Sequence, residues 1–166
     1  MSFPQESPDR TELQDAVILH CQAYRETSLF VDAFTPHYGR VRLLSKGARR
    51  GKQPLSLMLR PFNRVKLAWS GRGELPVLTS AESMDELISL QGAALFCGFY
   101  LNELLLYLLP QQDACVSVYQ LYLDTLRQLQ CGENLEQRLR HFELSLLEEI
   151  GYGLLLEQDA DGLPIE

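Results

Sequence analysis

An α+β chain, strands first and helices after, is predicted by three observations. Apolar residues recur with period two up to about residue 80 and with helical spacing from Ala81 onward. Charge changes at the same place: residues 1–80 carry 12 Lys and Arg against 7 Asp and Glu, whereas residues 81–166 carry 3 against 15. The formal net charge of −7 thus averages a basic half and an acidic half. Finally, 166 residues with 46% hydrophobic and 22% charged content is a globular composition, with room for one ordinary domain or two small ones. The expected division is a lead-in at 1–14, a β unit at 15–80 and a helical unit at 81–166.

The lead-in places Pro4 and Pro8 among polar residues, which predicts a mobile segment. The first strand opens on Ala16-Val17-Ile18-Leu19 and runs to Tyr24. The polar Arg25-Glu26-Thr27 separates it from a second, Ser28 to Thr35, as in a hairpin. After Pro36-His37-Tyr38-Gly39, residues Arg40, Arg42 and Leu44 alternate with Val41, Leu43 and Ser45, giving a strand with a basic face. Residues 46–62 carry Gly47, Gly51, Pro54 and Pro61 and read as a long connection with a short helix around Leu55 to Leu59. Connections of this length are usually functional or mobile. Alternation resumes at Arg64 to Trp69, turns at Gly71-Arg72-Gly73 and continues through Val77-Leu78-Thr79. Five strands with a long link between the third and fourth suit an N-terminal five-stranded OB-fold β-barrel.

Three helices follow: Met84–Leu109 ended by Pro110, Asp113–Gln130 ended near Gly132, and Asn134–Ile150 ended by Gly151. The last has Asn134 as N-cap with Gln137 three residues on, and an apolar stripe of Leu135, Leu139, Phe142, Leu146 and Ile150. No element is visible in 153–166. The apolar segment Gly92 to Leu109 contains Asn102 and Glu103, so a buried helix is expected rather than a membrane span. Met1 to Asp15 has four acidic residues and no apolar run, unlike a signal or transit peptide, which predicts a cytoplasmic protein.

Enzymatic patterns are weak. Gly47 to Lys52 is one residue short of a phosphate loop, with Gln53 where Ser or Thr belongs. His20, His37 and His141 lack metal-ligand spacing, and Cys21, Cys97, Cys115 and Cys131 form no CxxC pair, so no metal, cofactor or disulfide is expected. Cys21 and His20 point to opposite faces of a strand, and Glu148-Glu149 reads as a solvated helix end. A non-enzymatic binding protein is expected.

From Ala33 to Gly73 there are ten cations and no carboxylate: Arg40, Arg42, Lys46, Arg49, Arg50, Lys52, Arg60, Arg64, Lys66 and Arg72. A run of one sign is unlike an ordinary mixed surface and predicts a polyanion, with nucleic acid the favoured partner. Barrels of this kind hold single strands with a cationic groove plus stacking aromatics. Phe34, Tyr38, Phe62 and Trp69 lie in or beside the run; Phe34 and Phe62 fit a core better, whereas Trp69, beside a glycine-rich turn, fits either place and is assigned with the ten cations to the expected DNA-binding set. Neutralising about five phosphates gives a log–log salt slope of about −3.5. The competing reading is an adaptor whose barrel binds RNA or an acidic protein; a nuclease, marked by magnesium-dependent cleavage, is the weakest.

Tyr24-Arg25-Glu26-Thr27-Ser28, Phe34-Thr35, Gly39-Arg40-Val41-Arg42, Lys46-Gly47-Ala48-Arg49-Arg50, Leu59-Arg60-Pro61-Phe62, and Gly71-Arg72-Gly73-Glu74-Leu75 through Ser80-Ala81-Glu82 resemble, in order and spacing, the bacterial recombination mediator family RecO. Tyr100-Leu101-Asn102-Glu103-Leu104, Leu139-Arg140-His141-Phe142-Glu143 and Gly151-Tyr152-Gly153 are similar to the family's helical part. The resemblance implies an OB-fold followed by an α-helical domain in a cytoplasmic, nucleoid-associated protein of the RecF pathway of DNA repair. Its implied partners are single- and double-stranded DNA, RecR, and the acidic tail of single-stranded DNA-binding protein (SSB), with strand annealing and RecA loading as activities. Neither a membrane nor a small-molecule substrate is implied. Arg140 is the residue implied for the SSB tail; Arg127, Arg138 and Arg140 are the only cations after residue 80, and Glu136 and Glu143 are rival partners for Arg140. A four-cysteine zinc site found in some members has no counterpart here. The family also continues for several dozen residues beyond residue 166, so the chain is shortened relative to it, by truncation or by lineage.

Overall fold

The computed structural model describes residues 10–152. Five strands, β1 (Gln14–Tyr24), β2 (Ser28–Thr35), β3 (Gly39–Ser45), β4 (Arg64–Ser70) and β5 (Val77–Ser83), close into a barrel in the order β1-β2-β3-β5-β4. All neighbours are antiparallel except β3 and β5, which meet in parallel at Leu44 and Val77. This is the five-stranded OB arrangement expected from the sequence.

β1 is buried on both faces at its start, which is why Ala16 to Leu19 is a continuous apolar run instead of an alternation. Ala16 and Ile18 enter the barrel with Val31, Ala33, Leu43, Val65 and Leu67, while Val17 and Leu19 belong to a second core shared with the helices. The register shifts between Ile18 and His20. β4 shifts between Ala68 and Trp69, where the N–H and hydroxyl of Thr11 both donate to the Trp69 carbonyl (2.8 and 3.1 Å) and the Trp69 N–H donates to the Thr11 hydroxyl (2.8 Å). The expected mobile lead-in therefore differs over 10–14, which this clasp and β1 fix; its residues 1–9 lie outside the described residues. The long β3–β4 connection is also tied down. Ala48 and Leu59 are buried in the barrel core, Ser56 N–H donates to Ala48 C=O (2.8 Å), and a short 3₁₀ turn at Leu55–Leu57 stands where a short helix was expected.

The helices are α1 (Gly92–Leu108), α2 (Val116–Leu129) and α3 (Leu135–Glu149). β5 runs four residues past Thr79, and α1 starts at Gly92, eight residues after the expected Met84. Met84 to Gln91 is non-helical because tertiary partners hold it: Met84 N–H donates to Arg64 C=O (3.1 Å), and Ile88 and Leu90 are buried in the second core. The α3 stripe forms as expected, with Phe142 and Leu146 fully inside and Leu135, Leu139 and Ile150 against them. Asn134 stands at the N-cap position but in the left-handed region (φ 53°), and its side chain makes no cap hydrogen bond. The acidic segment 153–166 lies outside the described residues.

Asn102, the polar interruption in the α1 sequence, joins the two halves. Its Nδ2 donates to the Leu19 carbonyl beside the β1 bulge (2.9 Å), and the Tyr122 hydroxyl donates to its Oδ1. Burying the amide without these partners would cost a few kcal/mol. No helix among the described residues is long and apolar enough to cross a membrane.

Gly39 is a second joint. It sits at φ +67°, and a Cβ there would lie 2.0 Å from the Asp113 carbonyl oxygen. The α1–α2 link thereby reaches the start of β3, where Gln112 N–H donates to Arg40 C=O (2.8 Å) and Arg40 Nε donates to Leu109 C=O (3.2 Å).

Candidate nucleic-acid interface

The ten cations of the basic stretch separate into two groups. Arg40 and Arg64 are structural: their side chains are 13% and 12% exposed, Arg40 holding the end of α1 and Arg64 pairing with Glu86. Lys46, Arg49, Arg50, Lys52, Arg60, Lys66 and Arg72 are exposed. Among the described residues, Lys46, Arg50, Lys52, Arg60 and Lys66 are in no ion pair. Arg42 lies between the groups. Its guanidinium is 3.6 Å from Asp32, a carboxylate only 3% exposed that also stands 3.9 Å from Arg40 and 3.6 Å from His20. The charge of this sheet face is thus partly neutralised from within.

Of the expected aromatics, Phe34, Phe62 and Trp69 are core residues and Tyr38 is half-buried against the barrel core. Trp69 is 6% exposed inside the barrel, edge-on to Tyr38 at 5.3 Å, so it is not placed to stack on a base, contrary to the expectation from sequence. Phe34 meets Tyr119 edge-on at 5.4 Å between barrel and helices, and Phe62 meets Phe99 at 5.1 Å.

A different stack forms on the outer face of the β1–β2–β3 sheet. Arg25 lies over Tyr24 (5.0 Å), Tyr24 lies against Phe30 (4.4 Å), and Arg42 lies over Phe30 (5.0 Å). Cation–π contacts hold both guanidinium planes in place. The β3–β4 connection reaches this stack: Arg49 N–H donates to Thr27 C=O (3.0 Å), and its guanidinium donates to Arg25 C=O (2.5 Å). A cationic loop and a platform of two rings flanked by two arginines therefore adjoin on one side of the barrel. Such a surface can screen phosphates with one part and stack bases on the other.

The family model described as Recombination protein O N terminal matches residues 10–87, and that described as Recombination protein O C terminal matches residues 90–163. The chain belongs to the RecO family. It is 51% identical over 154 residues to the DNA repair protein RecO of Methylococcus capsulatus, covering 93% of this chain and 64% of that one. It is 46% identical over 145 residues to that of Cellvibrio japonicus (87% and 61%) and 40% identical over 174 residues to that of Thiobacillus denitrificans (99% and 68%). The chain thus spans a little under two thirds of the length of the first two relatives.

Tyr24, Arg25 and Phe30 are the candidate interface residues that sequence reasoning missed. A signal was present: two rings flank a three-residue turn beside an arginine, at positions where period two puts both on one face. Arg140, implied by the RecO resemblance as the site for an acidic tail, is 65% exposed but pairs with Glu143 one helical turn on (2.6 Å), and the Tyr100 hydroxyl donates to the same carboxylate (2.5 Å).

Glu86 ties the two halves of the RecO chain behind the interface. Arg127 grips its carboxylate at 2.6 and 3.0 Å, and Arg64 reaches it from β4. The hydrogen bonds from Arg127, acting against partial burial and joined by Arg64, pull the Glu86 carboxyl down to about 2 from its ordinary 4.5. A depressed carboxylate stabilises the fold fully above its unfolded value and loses that contribution as pH falls through the folded one. Urea midpoints of the native chain are therefore expected to drop more steeply from pH 4.5 to 2 than those of Glu86→Gln, which is already weaker at neutral pH. Parallel pH curves would show that Glu86 carries no such linkage.

Proposed function

We propose that this chain is a non-enzymatic DNA-binding mediator of recombinational repair in the RecF pathway, which binds single strands on the barrel and anneals complementary ones. The observation that supports this most is the junction of the exposed Lys46, Arg49, Arg50 and Lys52 loop with the Arg25–Tyr24–Phe30–Arg42 stack. Two phosphate backbones repel each other, and a barrel that neutralises charge on both lowers the barrier to their pairing. Annealing by this route needs no nucleotide and no general acid or base. The names of the relatives, DNA repair protein RecO, favour DNA over RNA as the polyanion.

Arg60, Lys66 and Arg72 extend the cationic surface, while Arg40 and Arg64 act indirectly, as braces. RecR and the acidic tail of SSB are the protein partners of this reading, with RecA loading onto SSB-coated DNA as its outcome. The tail docks beside Arg140, where the half-exposed Leu144 offers an apolar neighbour and the Glu143 carboxylate is displaced by that of the tail.

The test is fluorescence-monitored annealing of two complementary oligonucleotides precoated with SSB, with and without the 166-residue chain and with no nucleotide. Faster annealing is the expected result. Binding to bare strands without annealing of coated ones would overturn the mediator role and leave a simple strand binder. Binding to neither, with capture of RNA or an acidic protein instead, would favour an adaptor.

A further inference from the structure

A cavity of about 680 Å³ opens beside the stack, between the β4–β5 turn and the α1–α2 link. Phe30 and Arg42 form its floor, Glu74 and Leu75 one wall, and Gln111 and Gln112 the other. We infer that Gln111 and Gln112, from the helical half, complete a pocket that takes one unpaired nucleobase of the strand crossing the barrel. This inference rests on the strand-binding reading above and adds to it a base subsite outside the barrel.

Three features carry it. The volume suits a small ligand, within the usual range of about 300 to 1,000 Å³. The lining suits a base better than a phosphate: its one cation, Arg42, shares the pocket with the Glu74 carboxylate, and the remaining polar side chains are carboxamides. A phosphate there would face a carboxylate, whereas the amino group of a base would find acceptors on Glu74, Gln111 and Gln112 while its ring stacks on the Arg42 plane. The wall is also fixed in advance. Gln112 is held in the left-handed region at φ 58° by its N–H bond to Arg40 C=O, Gln111 bridges Arg40, and the next residue, Asp113, is pressed against Gly39. A non-glycine residue keeps this conformation only where its surroundings enforce it, often at binding sites.

The Glu74 carboxylate, which only accepts, selects the exocyclic amino group of cytosine over the carbonyl of thymine, while the carboxamides of Gln111 and Gln112 can serve either base. Fluorescence anisotropy with dC and dT oligonucleotides of about 20 nucleotides, long enough for an OB-type site, tests this on the whole chain. The unmodified chain is expected to bind dC more tightly, Gln111→Ala/Gln112→Ala to bind dC about 3- to 10-fold more weakly, and Glu74→Gln to lose the preference over dT. The salt slope should stay the same, since every phosphate remains neutralised as before. Gln112→Gly suits the left-handed backbone while removing the carboxamide, so the same direction of change there separates the pocket from a folding defect. Unchanged dC affinity in both glutamine variants, or a flattened slope, would overturn the inference while leaving strand binding intact. If the unmodified chain binds neither oligonucleotide, the strand-binding reading fails first and the pocket with it.

Discussion

Replacing Lys46, Arg49, Arg50 and Lys52 together by Glu is expected to lower single-strand affinity by at least about 100-fold near 0.1 M salt. It should also flatten the log–log salt slope by about 0.7 for each phosphate no longer neutralised. All four side chains are exposed on a connection whose backbone is anchored by buried Ala48 and Leu59 and by the Arg49 N–H bond to Thr27 C=O, so the fold should survive the change and the loss of the exposed Arg49–Arg25 hydrogen bond. The contrast variant is Trp69→Phe. Because Trp69 is inside the barrel, its removal should weaken stability and leave the slope alone. Titration over a range of salt concentrations distinguishes the two. If the loop variant keeps the native slope, those cations attract DNA without touching it; if Trp69→Phe weakens binding without weakening the fold, the stacking surface has been misplaced.

The second large effect is expected at Gly39→Ala, which should cost about 3 kcal/mol or more. Two effects combine: a left-handed backbone at φ +67° that alanine adopts poorly, and a Cβ driven to 2.0 Å from the Asp113 carbonyl oxygen, a main-chain atom that cannot swing aside. For a chain of this size such a destabilisation lowers the melting temperature by about 6–12 °C. Gly47→Ala is the matched control, with the same φ of +67° and its nearest neighbour, Arg50 Cδ, at an ordinary 3.7 Å from the added methyl, so that strain acts without the clash. Equal melting temperatures for the two variants would mean that the Asp113 backbone yields easily.

The barrel was legible because most of its strands bury one face, and a one-sided strand writes its register into the sequence as alternation. β1 was legible for the opposite reason, its unbroken Ala-Val-Ile-Leu run marking burial on both sides. The start of α1 was not legible. Ile88 and Leu90 are apolar through packing with the helices, and Glu86 is held by arginines 22 and 41 residues away, so nothing local separates Met84–Gln91 from a helical turn. The same blindness affected the site. Ten cations without a carboxylate is a true statement about residues 33–73, yet Asp32, at the edge of that window, and Glu86, beyond β5, occupy three of the ten. Trp69 beside a glycine-rich turn read as exposable because the clasp from Thr11, 58 residues earlier, is invisible along the chain.

The double burial of β1 limits how the chain can be dissected. Val17, Leu19 and Phe34 are barrel residues by sequence and helical-core residues by packing. A fragment cut after Ser83 would turn those three side chains toward water, and a fragment beginning at Gly92 would lack the surface that α1 and α2 close upon. Basic and acidic halves are thus compositional units without being autonomous modules. The chain should melt as one cooperative body, because the outer sheet face that carries Phe30 and Arg42 is the same face that, at Phe34 and Arg40, is covered and tied by the helical half.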